Sequence, residues 1–437
     1  MERAMSFSHL ASLLTPDARC VLAFSGGLDS TVLLHQLVSW QRQLPQLYVR
    51  ALHVHHGLSP NADSWAAHCL QICQQWRIPC EVLHVQVDGS AKGIEAAARE
   101  ARYQILFQQL QPGECLLTAQ HLDDQCETLL LALKRGSGPA GLAAMPVQRE
   151  IEGHLHLRPL LDVSREQLEA YAAEQQLSWI EDESNADSRY DRNFLRQQIL
   201  PLLQARWPHF SAASARSAAL CGEQEQLLDE LLAEQLTQLT DGQDALHFTP
   251  LLAMSEARRH ALLRRWIALQ GGTMPSRSAL KRITDEVMLS RGDANPCLRF
   301  GLFELHRYRE RLYWLTSQPS LSQHSLTWHD RSYSLPLPGG IGELQADTAM
   351  ALLRQPSAGE SINIRFQARG YYHLQGRAGG RDMKKLWQEL GVPPWQRERI
   401  PLIYYNQTLI CAPGIFVTRE GAASNERGWQ AIWSKQQ

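Results

Sequence analysis

Apolar, β-prone runs at residues 20–24, 47–55, 80–87 and 114–119 alternate with helical patterns at 30–40, 61–77 and 94–110. The runs recur about 30 residues apart, the length of one β-α-β unit. No other feature limits the fold as much. Parallel strands need crossovers of that size, and the crossing helices cover the faces of the sheet. The rhythm predicts an α/β domain with a parallel sheet, right-handed crossovers, and ligands held outside the carboxyl ends of the strands.

Beyond Asp123 the pattern turns helical and is interrupted by the loop Arg135-Gly-Ser-Gly-Pro139. Further helices are predicted at 164–176 and 193–206, and one or two more over 212–239. A second, mostly helical and arginine-rich unit reaches about Trp314. Residues 317–323 are rich in Ser and Gln and read as a linker. Short alternating runs at 362–366 and 402–405 then predict a small α+β or β-rich terminal domain. At roughly 150 residues per domain, the chain suggests about three domains. The expected divisions are 1–210, a helical domain at 211–316, a linker and start of the terminal domain at 317–355, and the terminal domain at 356–437.

A hydrophobic content of 44% with 20% charged residues describes a core-forming chain. No run approaches the ~20 apolar residues of a membrane helix. Glu2, Arg3 and His9 break any signal-peptide pattern at the start, so no membrane association is expected. The nine cysteines are scattered, with no C-x-x-C pair. That argues against a ribbon-type zinc site or an iron–sulfur cluster of that spacing, and fits a reducing cytoplasm.

The chemistry begins at Ser25-Gly26-Gly27-Leu28-Asp29-Ser30, between the first predicted strand and the first predicted helix. Two glycines allow close backbone approach, and the helix N-terminus offers free N–H groups to an anion. The two serines add hydroxyl donors, and Asp29 is suited to orient a magnesium ion. The G-K-[ST] of a Walker A loop is missing. Five further segments carry polar groups. His53-Val-His55-His56-Gly57-Leu58-Ser59 ends the second strand, and Arg99 and Arg102 share one face of the third helix. His121, Asp124 and Glu127 follow the fourth strand, with Asp124 and Glu127 on one helical face; Asp123 and Asp124 also read as dipole partners of the helix. Lys134 and Arg135 open a glycine-rich turn able to approach a nucleic-acid backbone, and Arg192 and Arg196 lie four apart beyond the acidic run 181–185.

The loop resembles the SGGxDS PP-loop of the N-type ATP pyrophosphatases, shared by GMP and NAD synthetases, tRNA thiolases and tRNA(Ile)-lysidine synthetases. The order of the other segments resembles the last of these families, in its long bacterial form. The H-H-G-L-S, E-A-A-A-R-x-x-R-Y, H-x-D-D-x-x-E-T, R-G-S-G and D-x-S-N…Y-x-R-N-x-x-R blocks all occur within about the first 200 residues. Gln120 departs from the pattern, standing where the family often has His, so His121 is the remaining imidazole. Residues 376–395, with Arg377, Arg381, Lys384 and Lys385, resemble the family's tRNA-binding motif, although Asp382 stands where a basic or neutral residue is more familiar. Residues 365–399 hold eight Lys/Arg against three acids; with a whole-chain charge of −2 the remainder carries −7. Such segregation suits a phosphate-reading module.

The resemblance implies a ligase acting on tRNA(Ile) with a CAU anticodon, with L-lysine and ATP as substrates and Mg2+ as cofactor; it leaves room for a homodimer. It implies that Ser25, Gly26, Gly27, Leu28, Asp29 and Ser30 hold ATP, with Asp29 near the metal. Arg99, Arg102 and Arg192 would stabilise the transferring phosphate, and His121, Asp124 and Glu127 would handle the lysine amine. Lys134, Arg135, Arg377, Arg381, Lys384 and Lys385 would meet tRNA. A tRNA thiolase is the competing enzyme reading, but Cys126 stands alone on its helix where thiolases cluster their thiols. A non-catalytic tRNA-binding protein is the competing reading outside enzymes.

Overall fold

The computed structural model describes residues 13–57, 59–86, 94–183, 187–292, 294–424 and 428–435. Leu58, Val87, Ser184 and Asn185, which belong to segments above, lie outside them. The chain forms two compact units, residues 1–231 and 232–437. Among the described residues no helix is long and apolar enough to cross a membrane.

The first unit follows the predicted alternation: β1 (Arg19–Ala23), α1 (Leu28–Gln43), β2 (Tyr48–His55), α2 (Ala62–Trp76), β3 (Cys80–His84), α3 (Ile94–Gln108), β4 (Glu114–Leu117) and α4 (Leu122–Lys134). Two short strands that sequence reading did not find, β5 (Gln148–Ile151) and β6 (His154–Leu157), complete a sheet of order β3-β2-β1-β4-β6-β5. All pairs are parallel except the β5–β6 edge. Alternate residues of β1 feed opposite faces. Cys20, Leu22 and Phe24 join α1, α2 and α5 (Arg165–Glu174) in one core. Val21 joins Leu106, Phe107 and Leu110 from α3 and the residues after it in the other. The result is a three-layer α/β/α domain.

After α5 the chain reaches a helical run whose middle, Leu195–Ile199, is π-helical, flanked by α-helical Asp191–Phe194 and Leu200–Arg206. The predicted helix or helices near 212–239 form one helix, α6 (Phe210–Leu239).

In the second unit, helices Glu256–Leu269 and Arg277–Arg282 pack around Trp266, Leu280 and Ile283. The helical reading left out a four-stranded sheet here, ordered β7 (Leu246–His247), β10 (Arg311–Thr316), β9 (Phe303–Tyr308) and β8 (Cys297–Phe300). The terminal region holds a five-stranded and a three-stranded sheet. Leu321, within the Ser/Gln-rich stretch, is buried in their core.

Candidate active site

Strand order reverses between β1 and β4, so the crevice at their carboxyl ends is the binding position of a sheet like this. Residues 25–27 leave β1 and enter the 16-residue α1, whose cap, Gly27, has no side chain to satisfy the first N–H groups. Gly26 sits at φ +81°, and a Cβ there would meet Ile180 Cδ1 at 2.7 Å and Cys69 Sγ at 2.8 Å. Only glycine fits that position. The amide of Ile180 donates to the Gly26 carbonyl at 2.8 Å, so the segment after α5 braces the loop. Ser25 Oγ and Ser30 Oγ lie 3.0 Å apart, and Ser30 donates to the Gly27 carbonyl at 3.1 Å. Ser25 is exposed while Leu28 and Ser30 are buried.

At the end of β4, His121 caps α4. Its Nδ1 accepts from the Asp123 amide at 3.3 Å, and the Asp124 carboxylate accepts from the His121 amide at 3.1 Å, a reciprocal capping box. With Nδ1 accepting, the proton of the neutral ring is assigned to Nε2. That Nε2 is buried without a hydrogen-bond partner, 3.5 Å from Asp124 Oδ2 and 3.7 Å from Asp29 Oδ2. Asp29 Oδ1 is likewise buried and unpartnered in hydrogen bonding, with Arg165 Nη1 at 3.7 Å. Burial raises the Asp29 carboxyl above its ordinary range, against the pull of His121, and Asp124 adds to the rise.

The residue that organises this cluster is Arg196. Its Nε donates to Glu127 Oε1 at 2.7 Å and its Nη2 to Glu127 Oε2 at 3.1 Å and Asp124 Oδ1 at 2.8 Å. Glu127 is fully enclosed, with Arg192 Nε also 3.8 Å from Oε2. Arg192 donates to Thr128 Oγ1 at 3.1 Å. Burial pushes the Glu127 carboxyl up while Arg196 pulls it down. The neighbouring acid, Asp123, is consumed structurally: it accepts from the Arg165 amide, Gln204 and Ser211 at 3.0, 2.9 and 2.8 Å.

Asp29, His121, Asp124, Glu127 and Arg192 thus come together. Arg99 and Arg102 make no hydrogen bond or ion pair with that cluster among the described residues. Arg99 lies over the Tyr103 ring at 5.1 Å, and Arg102 Nε donates to His56 Nε2 at 3.1 Å. Burial, and Arg102 beside it, push the His56 ring down to about 4, so it stays neutral. Gln120 accepts from the Thr118 hydroxyl, which lies 2.8 Å from His156 Nε2. Its carbonyl is therefore spoken for inside a buried chain that continues to Arg158, 3.1 Å from His156 Nδ1.

Lys134 pairs with Asp191 at 2.6 Å, and Arg135 is exposed. In the terminal region Asp382 caps α7 (Met383–Glu389), accepting from the Lys384 amide at 2.9 Å. That local duty accounts for an acid in a basic stretch. Glu389 pairs with Arg377 at 2.6 Å and Arg381 at 3.5 Å. Lys384 and Lys385 are exposed and carry no ion pair among the described residues. Trp387 is buried in the terminal core, and Trp395 packs on His306 and Tyr313 at 4.7 and 5.0 Å, so both serve packing.

Three family models match parts of the chain. Residues 3–203 match the PP-loop domain family, 246–313 a TilS substrate binding domain and 362–433 a TilS substrate C-terminal domain. A solved structure, the U34-tRNA thiolase NcsA from Methanococcus maripaludis with its [4Fe-4S] cluster, is similar at a TM-score of 0.41 and 16% identity, covering 47% of this chain and 72% of its own. That likeness is too slight to bear on activity. The tRNA(Ile)-lysidine synthase of Serratia proteamaculans (strain 568) is 58% identical over 98% of both chains. That of Shigella flexneri is 55% identical over 99% of both. Identity of that order, sustained from end to end, means that the chain belongs to the tRNA(Ile)-lysidine synthase family.

Proposed function

We infer that the chain is an ATP-dependent ligase that joins L-lysine to C2 of cytidine 34 in the CAU anticodon of tRNA(Ile). The product is lysidine, and codon reading moves from AUG to AUA. The observation that carries this reading is the pair of buried, unpartnered atoms, Asp29 Oδ1 and His121 Nε2, beside an uncapped helix end. A helix end suited to an anion and buried polar atoms suited to a second reactant stand together there.

The C2 oxygen of cytosine is a poor leaving group. It attacks the α-phosphate of ATP, pyrophosphate departs, and the ε-amine of lysine then displaces AMP from C2. Residues 25–30 hold the pyrophosphate through backbone N–H groups and the two serine hydroxyls. Arg192, with Arg99 and Arg102, meets charge on the transferring phosphate. Asp29, half-buried beside the loop with one oxygen unpartnered, fits a hard cation of the Mg2+ class, which when bound neutralises phosphate charge.

Lysine arrives protonated, and at neutral pH freeing its amine costs about 4–5 kcal/mol. The Oδ2 atoms of Asp29 and Asp124, both turned toward His121 Nε2, are the acceptors we assign to the ammonium. Glu127 acts through Arg196, as a positioning residue, because Arg196 occupies both its oxygens. Exposed Lys384 and Lys385, with Arg377, Arg381, Lys134 and Arg135, bind the tRNA backbone. Assembly as a cytoplasmic homodimer belongs to the same reading; exposed Leu220, Leu227 and Leu231 on α6 are its support. Incubation with ATP, labelled lysine and tRNA(Ile), followed by analysis of position 34, tests the reaction. Label absent from that nucleotide would end it.

A further inference from the structure

The β8–β9 hairpin of the second unit buries one face and leaves the other polar. Register pairs Cys297 with His306 and Arg299 with Glu304, while Leu298 and Leu305 alternate into the core. Cys297 Sγ lies 3.7 Å from His306 Nε2, which lies 3.0 Å from Glu304 Oε2. All three donor atoms fall within 4.8 Å of one another. Around an ion bound at ~2.3 Å by sulfur and ~2.0–2.1 Å by nitrogen and oxygen, tetrahedral edges measure about 3.5 and 3.3 Å. The two spacings at His306, 3.7 and 3.0 Å, lie within a few tenths of an ångström of those edges.

The groups are also held in place. Glu304 Oε1 accepts from Ser317 Oγ at 2.9 Å and pairs with Arg299 Nε at 3.1 Å, which leaves Oε2 for the cluster. The His306 ring is buried under Trp395, at 4.7 Å. Cys297 is exposed and supplies the way in. We propose that Cys297, Glu304 and His306 bind a divalent transition-metal ion of the zinc class, with the fourth position open to water. Thiolate and imidazole ligands select such ions over Mg2+ or Ca2+, which take oxygen donors. On binding, the Cys297 thiol proton passes to solvent, and the His306 ring proton shared with Glu304 moves from Nε2 to Nδ1, so that Nε2 presents its lone pair. Thiolate and carboxylate then balance the charge of the ion.

The test is a Co2+ titration of the full chain under reducing, oxygen-free conditions. One tightly bound Co2+ should give a thiolate charge-transfer band and the intense visible bands of tetrahedral cobalt. Zn2+ should abolish both, and about a hundredfold excess of Mg2+ should not. Cys297→Ser should lose the charge-transfer band while its melting temperature without metal stays at the wild-type value. Glu304→Gln should keep the band but bind at least ~10–100-fold more weakly, the loss seen even for an outer-shell partner. Zn2+ should raise the melting temperature of the wild type and not that of Cys297→Ser. A band that survives Cys297→Ser, an unweakened Glu304→Gln, or cobalt bound only in six-coordinate form would overturn the assignment.

Discussion

Replacing Arg196 by Met would remove three hydrogen bonds and the only cation within 3.2 Å of Glu127 among the described residues. Deleting one partner of a buried pair costs about 3–5 kcal/mol, because the other charge stays buried and uncompensated. Arg196 is 29% exposed, which puts the cost near the lower end, about 3 kcal/mol. For a unit of this size that is a drop of ~6–12 °C in melting temperature. The loss must also depend on pH. Burial already holds the Glu127 carboxyl above its usual range. A carboxyl raised by folding contributes stability that is whole below its unfolded pKa, about 4.3, and lost as pH climbs through the folded value. Without Arg196 the folded value rises further, so the gap between variant and wild type should widen from pH 5 to pH 8. Calorimetry on the intact chain at both pH values reads that gap, and adding Glu127→Gln to the variant should recover at least half of the loss at pH 8. Equal gaps at the two pH values, or no recovery, would refute the role given to Arg196.

Asp29→Ala and Ser30→Ala should each slow adenylation by ~10²–10³ while tRNA binding stays near normal; wild-type AMP formation by both would remove the loop from the chemistry. Asp124→Asn should depress lysidine formation more than pyrophosphate release, by about 10² through lost alignment, with adenylated tRNA accumulating in a single turnover. Pyrophosphate release failing first would instead assign Asp124 to ATP. Lys384→Glu with Lys385→Glu should weaken tRNA binding far more than ATP binding and flatten its log–log salt dependence by about 1.5–2 units, and an unchanged slope would make the two lysines bystanders.

The parts of this site legible in the sequence are those written in contiguous residues. Residues 25–30 announce themselves because strand, glycines and helix start are adjacent, and His121 to Glu127 because a helical spacing of three aligns the side chains. Arg196 was not singled out for a physical reason. Spacing puts Arg192 and Arg196 on one helical face, and it does not say which of the two takes the hydrogen bonds to Glu127. Strands β5 and β6 were missed because each has four residues, and Gln-Arg-Glu-Ile on an outer strand carries no apolar run. The second unit's sheet hid likewise, its short strands lying among arginine-rich helical patterns. Asp382 could be read only as a charge until the helix it caps was placed.

Asp123 sits two residues from His121, and one of its oxygens accepts from both Gln204 and Ser211, the latter in the first turn of α6. The nucleotide-binding fold proper is matched only as far as residue 203. A truncation there, the natural choice for isolating the ATP-binding half, would remove both donors and loosen the cap on which His121 turns. The end of the matched PP-loop region thus runs through the hydrogen bonds that hold the His121 cap, not beside them. A shorter descendant of this chain must keep that first helical turn or find Asp123 new donors.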